Sequence, residues 1–413
     1  MAKDNQKKYR LIRKFSPLVK KLLPKKMYAK LKKDIKKNIV YDASKRIPLD
    51  DTYPFGVNYF GHLKAGIGLG EGSRLYGRAI KNGGLPSVFI DVRLPKSIPQ
   101  NNDFYGIEMS DKPIYSINLF HVNPENFYCL EMMFDQSFLD HRYNIGVFLW
   151  ELDHIPQGWI PYLDLFDAFI VPSNFIKEAL KKATDKPIEV VNYGLSFVSS
   201  DTKQKVLEET NKFRFLTMFD SKSNIKRKNV EEVIEAFKIA FKDRDDAELI
   251  VKANNLTNKD RKTLLKAFNN HPNIKLFDKH LSRSEVNALI SECDCVVSLH
   301  RAEGFGLAPA EAMMLGASVI VTNYSSTTDF CTKDNAFLVD YDLVESDMEY
   351  QDEKDFKWAE PKLDSAVKAM LEVIDDPELR ESKKKNAQEF LKRNLSVEVC
   401  SNKLKEIICK FMN

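Results

Sequence analysis

The sequence predicts an α/β protein with two doubly wound domains that face a central cleft, and a basic helical extension in front of them. At roughly 150 residues per domain, 413 residues suffice for two or three domains. Short apolar runs alternate with amphipathic stretches, as in buried parallel strands joined by helices. The alternation occurs twice, on either side of the polar segment 199–212. Two such arrays predict two domains joined by a linker.

The first array begins after Pro54, and a glycine-rich loop at 61–72 separates its first strand from its first helix. Short apolar runs favour strands, and longer amphipathic stretches favour helices. The predicted strands are 55–60, 85–91, 114–120, 143–150, 167–172 and 188–194, and the predicted helices are 73–82 and 174–183.

The second array carries two clear helix starts. Ser282, followed three residues later by Glu285, forms a capping box. Pro309 suits the first turn of a helix, where a missing N–H breaks no hydrogen bond. The predicted strands are 213–219, 247–253, 274–277, 293–300 and 318–323, and the predicted helices are 229–242, 261–268, 282–292, 309–316, 363–376 and 381–412.

These patterns divide the chain into four parts. A C-terminal helix is expected to pack back on the first domain. The predicted parts are the basic amphipathic extension 1–46, a first Rossmann-like domain 50–205, a second Rossmann-like domain 211–390, and the C-terminal helix 391–413.

The composition is that of a soluble globular protein, with 43% hydrophobic and 30% charged residues. No window approaches the roughly 18 uncharged apolar residues of a membrane span, and the first residues show no apolar signal region, so neither feature is expected. Six scattered cysteines without CxxC spacing indicate buried thiols in a reducing compartment. We therefore expect a cytoplasmic protein, either free or peripheral on the inner face of the plasma membrane.

The net charge of +4 conceals a strongly basic start. Residues 1–40 contain fifteen lysines and arginines and two acids, a balance of +13 that leaves −9 for the rest. Apolar residues recur there at helical spacing, which suits binding to an anionic membrane surface, where each cation contributes about 1 kcal/mol. A helical extension packed on the body is an equally good interpretation. Nucleic acid is not expected as a partner, because aromatic residues that could stack on bases are sparse.

The segment 299–330 carries the strongest chemical signal. A predicted strand ends at His300, and Glu303 precedes a tight glycine loop and a helix with Pro309 in its first turn. The free N–H groups at such a helix start bind anions and hydroxyl groups. Glu303 and Glu311 lie at the carboxyl ends of the strands, where doubly wound sheets bind ligands, and carboxylates accept hydrogen bonds from sugar hydroxyls.

No metal or other cofactor is expected at this site. The DxD at Asp243-Arg244-Asp245 precedes the strand 247–253 and so lies at its amino end, away from the predicted site. Without a metal, the charge of an anionic ligand such as a phosphate must be balanced by Arg, Lys and helix dipoles. Arg227 and Lys228 have the required chemistry.

The string EGFGLAPAE, with the Gly316 and VIVT that follow, resembles the donor-site signature of the family-4 retaining glycosyltransferases of the GT-B fold. Four further stretches are similar to a branch of that family found in bacterial surface-polysaccharide clusters. The resemblance extends from about Phe55 to the end. These stretches are SLHRAEGFGL (298–307), NLFHVNPE (118–125), GVFLWELDHIP (146–156) and FDSKSNIKRKN (219–229).

The resemblance implies an acceptor-binding first domain and a second domain that binds the nucleotide-sugar donor. It implies that Glu311 binds the ribose and that Glu303 binds hydroxyls of the transferred sugar. The loop that would contact the sugar and the diphosphate comprises Gly304, Phe305, Gly306 and Leu307.

The family also has a basic pair after the first strand of the second domain, an arginine and a later lysine before glycine. Lys228 matches that lysine, with Asn229 in place of the glycine. The arginine position aligns with Asp220 or Lys222, so Arg227 or Lys222 would replace the arginine.

In the first domain, Gly66, Gly68 and Gly70 alternate ahead of a helix, although Glu71 stands where a dinucleotide fingerprint needs its third glycine. The family uses such a loop against the donor phosphates or the acceptor. The alternative is simply a tight turn between strand and helix.

His121 and Glu151 each follow a predicted strand and are expected to contact the sugar or the acceptor. Many family members have a histidine at the second position, where this chain has Trp150-Glu151 and, slightly downstream, His154. A histidine at a strand end is also commonly structural, which is the alternative for His121.

These features together predict a retaining, metal-independent transferase that moves a hexose from a GDP- or UDP-linked sugar to a glycan or lipid-linked glycan acceptor in cell-surface polysaccharide synthesis. A phosphorylase, a nucleotide-sugar hydrolase and an epimerase keep the same fold and stay open. The non-enzymatic alternative is a catalytically degenerate partner subunit or glycan-binding module.

Overall fold

The structure is a computed structural model that describes residues 27, 41–94, 98, 100, 104, 106–196, 205–221, 223–350 and 353–412. Apart from Met27, the basic segment 1–40 lies outside the described residues. No helix among those described is long and apolar enough to cross a membrane.

The N-terminal domain is built on a sheet whose strands are β1 (Val57–Gly61), β2 (Ser87–Asp91), β3 (Ile117–His121), β4 (Tyr143–Val147), β5 (Ala168–Val171) and β6 (Ile188–Val190). The strand order is β2-β1-β3-β4-β5-β6, and all pairs are parallel. Its α-helices are α1 (Gly68–Asn82), α2 (Phe127–Met133), α3 (Ile160–Leu163) and α4 (Asn174–Lys181). Short 3₁₀ helices cover Ala43–Lys45, Pro124–Asn126, Gln136–Leu139 and Gln157–Trp159.

The C-terminal domain contains β7 (Phe213–Asp220), β8 (Ala247–Asn254), β9 (Ile274–Phe277), β10 (Cys295–Ser298), β11 (Ser318–Thr322) and β12 (Phe337–Val339), followed by β13 (Tyr341–Glu345) and β14 (Lys357–Pro361). The order β12-β11-β10-β7-β8-β9 makes a second parallel sheet, and β13 and β14 form an antiparallel pair. The helices are α5 (Ile225–Lys228), α6 (Val230–Ala240), α7 (Asn258–Phe268), α8 (Arg283–Ser291), α9 (Leu307–Met314), α10 (Leu363–Asp375), α11 (Pro377–Asn394) and α12 (Val397–Met412), with a 3₁₀ helix at Ser325–Asp329.

Two parallel sheets with helices confirm the predicted fold class of two doubly wound domains. The loop predicted over 61–72 is shorter than expected, because α1 already begins at Gly68. The strand β12 and the hairpin of β13 and β14 were not predicted. The apolar run at β12 is only four residues long (336–339), and β13 is largely exposed, so neither gives a strong strand signal.

The ends of the described chain pack against the N-terminal domain. Tyr41 is buried there and Arg46 pairs with Asp167. The N-terminal domain therefore includes residues that were assigned to the predicted extension 1–46. The helix α12 returns from the C-terminal domain to α1. Lys410 of α12 pairs with Glu189 of β6 at 2.8 Å.

The carboxyl ends of the two sheets face each other across the cleft, and polar contacts join the domains there. The Ser173 hydroxyl lies 2.7 Å from that of Ser326 and 3.3 Å from the carbonyl oxygen of Gly304. Asp329 accepts hydrogen bonds from the backbone and side-chain N–H groups of Asn174, at 2.8 and 3.2 Å. The described cleft is therefore in a closed arrangement.

Candidate functional site

The first part of the site is the turn between β10 and α9. Gly306 precedes α9 with φ +92°, and a Cβ there would lie 2.5 Å from Cγ2 of Thr327. This backbone conformation and the close approach both require glycine. Among the described residues no side chain caps α9, which leaves the N–H groups of Leu307 and Ala308 at the positive end of the helix for a ligand.

Four charged side chains meet beside this turn. Lys228 Nζ forms an ion pair with Oε1 of Glu303, and Arg227 Nη1 lies 3.4 Å from the same oxygen. Arg227 Nη2 reaches across the cleft to Oε1 of Glu151, at 2.7 Å. We call these four residues, two cations and two carboxylates, the charge cluster. Arg227, Lys228, Glu303 and Glu151 are therefore brought together from both domains.

The helix α5 sets the position of the two cations. The Asn224 side chain accepts hydrogen bonds from the N–H groups of Lys226 and Arg227 and so starts this short helix. Asn229 ends it in the left-handed conformation, with φ 54°. Asparagine tolerates that conformation better than other residues with a side chain, which explains how it can stand where the family resemblance expects glycine.

Burial and neighbouring charges shift the pKa values of the charge cluster in opposite directions. Burial raises the pKa of the Glu303 carboxyl, but Lys228 and Arg227 outweigh it and bring the pKa down to about 2. Burial likewise lowers the pKa of Arg227, whereas Glu151 and Glu303 raise it more, so the pKa ends above its ordinary value. Glu303 and Arg227 are thus both charged at neutral pH.

Arg227 retains one unused hydrogen-bond donor. Its side chain is 3% exposed, and Nη1 donates to the carbonyl oxygen of Ala302 at 2.6 Å. Its Nε has no hydrogen-bond partner among the described residues. A buried N–H without an acceptor is unfavourable by about 1–3 kcal/mol, so an anion that accepts a hydrogen bond from Nε would remove this cost.

Glu311 occupies a different environment. The Glu311 Oε1 lies 2.7 Å from Nη2 of Arg283, the first residue of α8. Burial raises the pKa of Glu311, Arg283 opposes this, and Glu71 of α1 raises it further. Glu71 lies in the first turn of α1, so a charge of the N-terminal domain acts on this carboxyl of the C-terminal domain.

The alternating glycines differ in their surroundings. Gly66 lies in the turn before α1, whereas Gly68 and Gly70 form its first turn. A Cβ on Gly70 would lie 2.0 Å from the carbonyl oxygen of Ala65, so packing excludes any side chain there. A Cβ on Gly68 would meet no atom within 4 Å, which leaves an open approach to that end of the helix.

Phe305 belongs to the loop 304–307, which we call the donor loop because the family resemblance implies that it contacts the donor. Its ring also reaches toward the glycine-rich turn and α1. Its ring lies 5.0 Å from that of Tyr193, and a Cβ on Gly72 of α1 would lie 2.5 Å from the Tyr193 hydroxyl. A Cβ on Gly304 would lie 3.0 Å from the carbonyl oxygen of Trp150, next to Glu151. The donor loop therefore packs against the N-terminal domain on both sides.

The structure corrects the expectation for His121. Its side chain is buried, with Nδ1 2.8 Å from the Ser73 hydroxyl and Nε2 2.9 Å from the Tyr193 hydroxyl. Burial, together with the nearby His62, lowers the pKa of His121 to about 3. With both ring nitrogens in contact with groups of the protein, the structure favours the structural alternative for His121. The predicted residue Lys222 lies outside the described residues.

The aspartates of the DxD motif lie far from the charge cluster. Asp245 is exposed, pairs with Lys212 and precedes β8, at the amino end of the sheet. Among the described residues, one group of His and carboxylate side chains has the geometry to hold a metal ion, namely His154, Glu353 and Asp355. It lies at the edge of the domain interface.

Sequence reasoning missed the residues that join the domains or orient the donor loop. The Ser325 hydroxyl accepts a hydrogen bond from the Glu303 N–H at 2.9 Å, and Arg283 pairs with Glu311. Arg283 directly follows the capping Ser282, which marked only the helix start. No pattern along the chain could pair Ser173 with Ser326, since the residues come from different domains.

The part of this site that comes from the C-terminal domain lies in a segment that matches a family model. Residues 201–390 match the family model described as Glycosyl transferases group 1. The uncharacterized glycosyltransferase YqgM of Bacillus subtilis (strain 168) is 28% identical over 180 residues. That alignment covers 43% of this chain and 48% of YqgM, so the chain spans about half the length of this curated relative.

Solved structures show a similar fold at low sequence identity. A glycosyltransferase from Rickettsia africae ESF-5 is 14% identical, with a TM-score of 0.62 over 87% of this chain and 99% of that one. Anabaena Alr3699/HepE, solved with UDP and glucose, is also 14% identical, with a TM-score of 0.61 over 86% of this chain and 99% of that one. Residues 201–390 are therefore similar to a group 1 glycosyltransferase domain, and the two domains together have the GT-B fold.

Proposed function

We propose that the protein is a retaining glycosyltransferase that transfers a hexose from a nucleotide sugar without a metal ion. The main support for this proposal is the charge cluster beside α9. The cluster contains a buried arginine whose Nε–H has no described acceptor, and an adjacent lysine. The N-terminus of α9 beside it offers N–H groups that no described side chain caps. These are the groups that neutralise a diphosphate when no metal does so.

The donor would lie along the carboxyl edge of the C-terminal sheet. In this proposal Arg227 and Lys228 bind the diphosphate, and Glu303 accepts hydrogen bonds from hydroxyls of the transferred hexose. Glu311 accepts hydrogen bonds from the ribose, and the N–H groups of the donor loop contact the phosphate and the sugar. Glu151 reaches the same point from the N-terminal domain, where the acceptor would bind.

The proposed reaction needs no protein nucleophile. As the bond between sugar and phosphate breaks, the acceptor oxygen attacks from the same face, and the departing phosphate takes up the acceptor's proton. Arg227 and Lys228 stabilise the charge that develops on the phosphate. Closure of the domains positions the reactants and excludes water, which would otherwise hydrolyse the donor.

The donor is proposed to be a UDP- or GDP-linked hexose, and the acceptor a glycan or lipid-linked glycan in cell-surface polysaccharide synthesis. The solved Anabaena relative contains UDP and glucose, and a Staphylococcus aureus TarM mutant was solved with UDP and α-GlcNAc-glycerol. Both have a similar fold and were solved with UDP together with a sugar or a glycoside, which supports a nucleotide-sugar donor for this chain.

The stereochemistry of the product tests the proposed reaction. We expect the protein to release nucleoside diphosphate from UDP-glucose or GDP-mannose when a glycan acceptor is added, in the presence of EDTA. We expect ¹H NMR to show the anomeric configuration of the donor in the product. Inverted product would contradict the retaining mechanism. Release of nucleoside diphosphate without transfer would identify a hydrolase, and no turnover with any acceptor would favour the degenerate partner subunit or glycan-binding module.

We also propose that the segment 1–40 attaches the enzyme to an anionic membrane surface. Its charge of +13 contrasts with the −9 of the remaining chain. Deletion of 1–40 leaves Tyr41, which belongs to the core, in place. We expect this deletion to abolish co-sedimentation with phosphatidylglycerol vesicles and to leave transfer to a soluble acceptor unchanged. Equal sedimentation of both forms would contradict the membrane role.

A further inference from the structure

The edge of the domain interface holds a second group of charged side chains, distinct from the charge cluster. His154 and Asp153 follow β4 in the N-terminal domain, whereas Glu353 and Asp355 lie in the C-terminal domain between β13 and β14. The ring of His154 stacks on that of Phe356, with centroids 4.6 Å apart. We call these four charged residues the rim cluster.

The distances in the rim cluster match those between ligands of one metal ion. His154 Nε2 lies 3.4 Å from Oε1 of Glu353 and 3.7 Å from Oδ1 of Asp355. The three ligand atoms all lie within 4.8 Å of one another. Two ligands at about 2.0–2.1 Å from a tetrahedral zinc ion are about 3.3–3.4 Å apart, so small adjustments would complete the site.

Neighbouring groups hold the ligands in place. His154 Nδ1 lies 3.2 Å from Oδ1 of Asp153, and that oxygen accepts a hydrogen bond from the Lys357 N–H at 2.9 Å. The second carboxylate oxygen of Glu353 accepts a hydrogen bond from the Gln157 N–H, also at 2.9 Å. A carboxylate behind the far nitrogen of a histidine is the usual arrangement around metal-binding histidines.

The excess of negative charge in the rim cluster also favours binding of a cation. Three carboxylates surround one imidazole, and within the described part of the chain no side-chain nitrogen of lysine or arginine lies within 4.0 Å of them. If Nδ1 donates its proton to Asp153, the Nε2 lone pair faces two carboxylates. That arrangement is repulsive unless Nε2 carries a proton or a metal ion lies between the three atoms.

We propose that His154, Glu353 and Asp355 bind a divalent transition metal ion of the zinc class, which joins the two domains at the rim of the cleft. An imidazole with two carboxylates suits zinc, whereas magnesium and calcium prefer oxygen ligands alone. Water would supply the fourth ligand, and the exposed Asp355, with 78% of its side chain accessible, provides the route of entry. The ion would hold the domains together and would not touch the charge cluster.

Titration of the purified full-length protein with ZnCl₂ tests this proposal. After treatment with a chelator and its removal, we expect isothermal titration calorimetry to show one equivalent of bound zinc. His154→Gln should abolish this binding, and Asp153→Asn should weaken it about 10–100-fold, as is typical when the group behind a histidine ligand is changed. His141→Gln is the matched control, because His141 pairs with Asp50 at 2.7 Å outside the rim cluster.

The proposal is overturned if the unmodified protein binds no zinc, or if the His154→Gln variant binds zinc as tightly as His141→Gln. ¹H–¹⁵N NMR of the imidazole identifies the competing arrangement. If His154 carries protons on both nitrogens at neutral pH even with zinc present, the cation is a proton and the metal site is excluded. Circular dichroism and nucleoside diphosphate binding show whether each variant is folded. These readouts do not depend on glycosyl transfer.

Discussion

Replacement of Glu303 by glutamine is expected to lower turnover by about 100–1000-fold while nucleoside diphosphate binding is kept or strengthened. Catalytic groups that stabilise developing charge commonly contribute this much. Glutamine keeps the size of the side chain but removes the charge that faces Lys228 and Arg227. The two cations then have only Glu151 as a counter-charge, so they attract a diphosphate at least as strongly. Steady-state transfer rates and UDP or GDP titrations measure the two effects separately.

The matched control for this change is Glu381→Gln. Glu381 is an exposed residue that pairs with Lys384 within one helix at 2.9 Å, and its loss should change neither quantity. A Glu303→Gln enzyme that keeps at least half of its turnover would contradict the proposed role. Loss of nucleotide binding together with turnover would instead indicate a damaged fold or a different donor position.

Replacement of Arg227 by methionine is expected to weaken nucleoside diphosphate binding by about 10–100-fold. A hydrogen bond to a charged group contributes about 1.5–3 kcal/mol, and each 1.4 kcal/mol, roughly, is tenfold in affinity. The free Nε of Arg227 is the donor that the diphosphate would use. Arg227→Lys should recover part of the affinity, because it restores the charge but not the planar group with several donors. Isothermal titration with UDP and GDP gives the dissociation constants.

The Arg227→Met change also leaves Glu151 and Glu303 with less positive charge around them, so the melting temperature is expected to fall. Titrations are therefore made well below the melting transition. Arg244→Met is the control, because Arg244 pairs with Asp246 and Asp375 on the surface, away from the cleft. An unchanged nucleotide affinity in Arg227→Met would contradict the assignment of the diphosphate site.

The sequence predicts the two sheets well because buried parallel strands are nearly continuous apolar runs. Each strand from β1 to β11 coincides with such a run, although the runs 143–150 and 293–300 extend past the strands into the cleft loops. Helix starts are less certain. The start of α1 at Gly68 was missed because glycine normally favours loops, whereas here Gly70 allows the helix to pass close to Ala65.

The donor loop could be located from sequence because its elements are contiguous. Glu303, Gly306 and the start of α9 lie within a few residues, and a helix start has a local signal. The pairing of Arg227 with Glu151 could not be predicted in this way. It arises from the closure of two domains, and no periodicity relates residues on opposite sides of a cleft.

His121 shows that sequence can place a residue at a sheet edge without predicting which groups its side chain contacts. Its position at the end of β3 correctly predicts that it lies at the carboxyl edge of the sheet. Its direction is decided by Ser73 and Tyr193, which are remote in sequence and occupy both ring nitrogens. His154 is the reverse case. It was noted only as a downstream histidine, and three carboxylates from two domains give it a candidate chemical role.

A thermal-shift panel of UDP-, GDP-, dTDP- and ADP-sugars, with and without EDTA, tests the central claim most directly. A ligand that binds the folded state raises the melting temperature by mass action. The proposal predicts that one nucleotide class stabilises the protein, that EDTA leaves the shift in place, and that Arg227→Met greatly reduces it. No shift with any of these donors, or stabilisation that EDTA abolishes also in the His154→Gln variant, would contradict a metal-free donor site at the charge cluster.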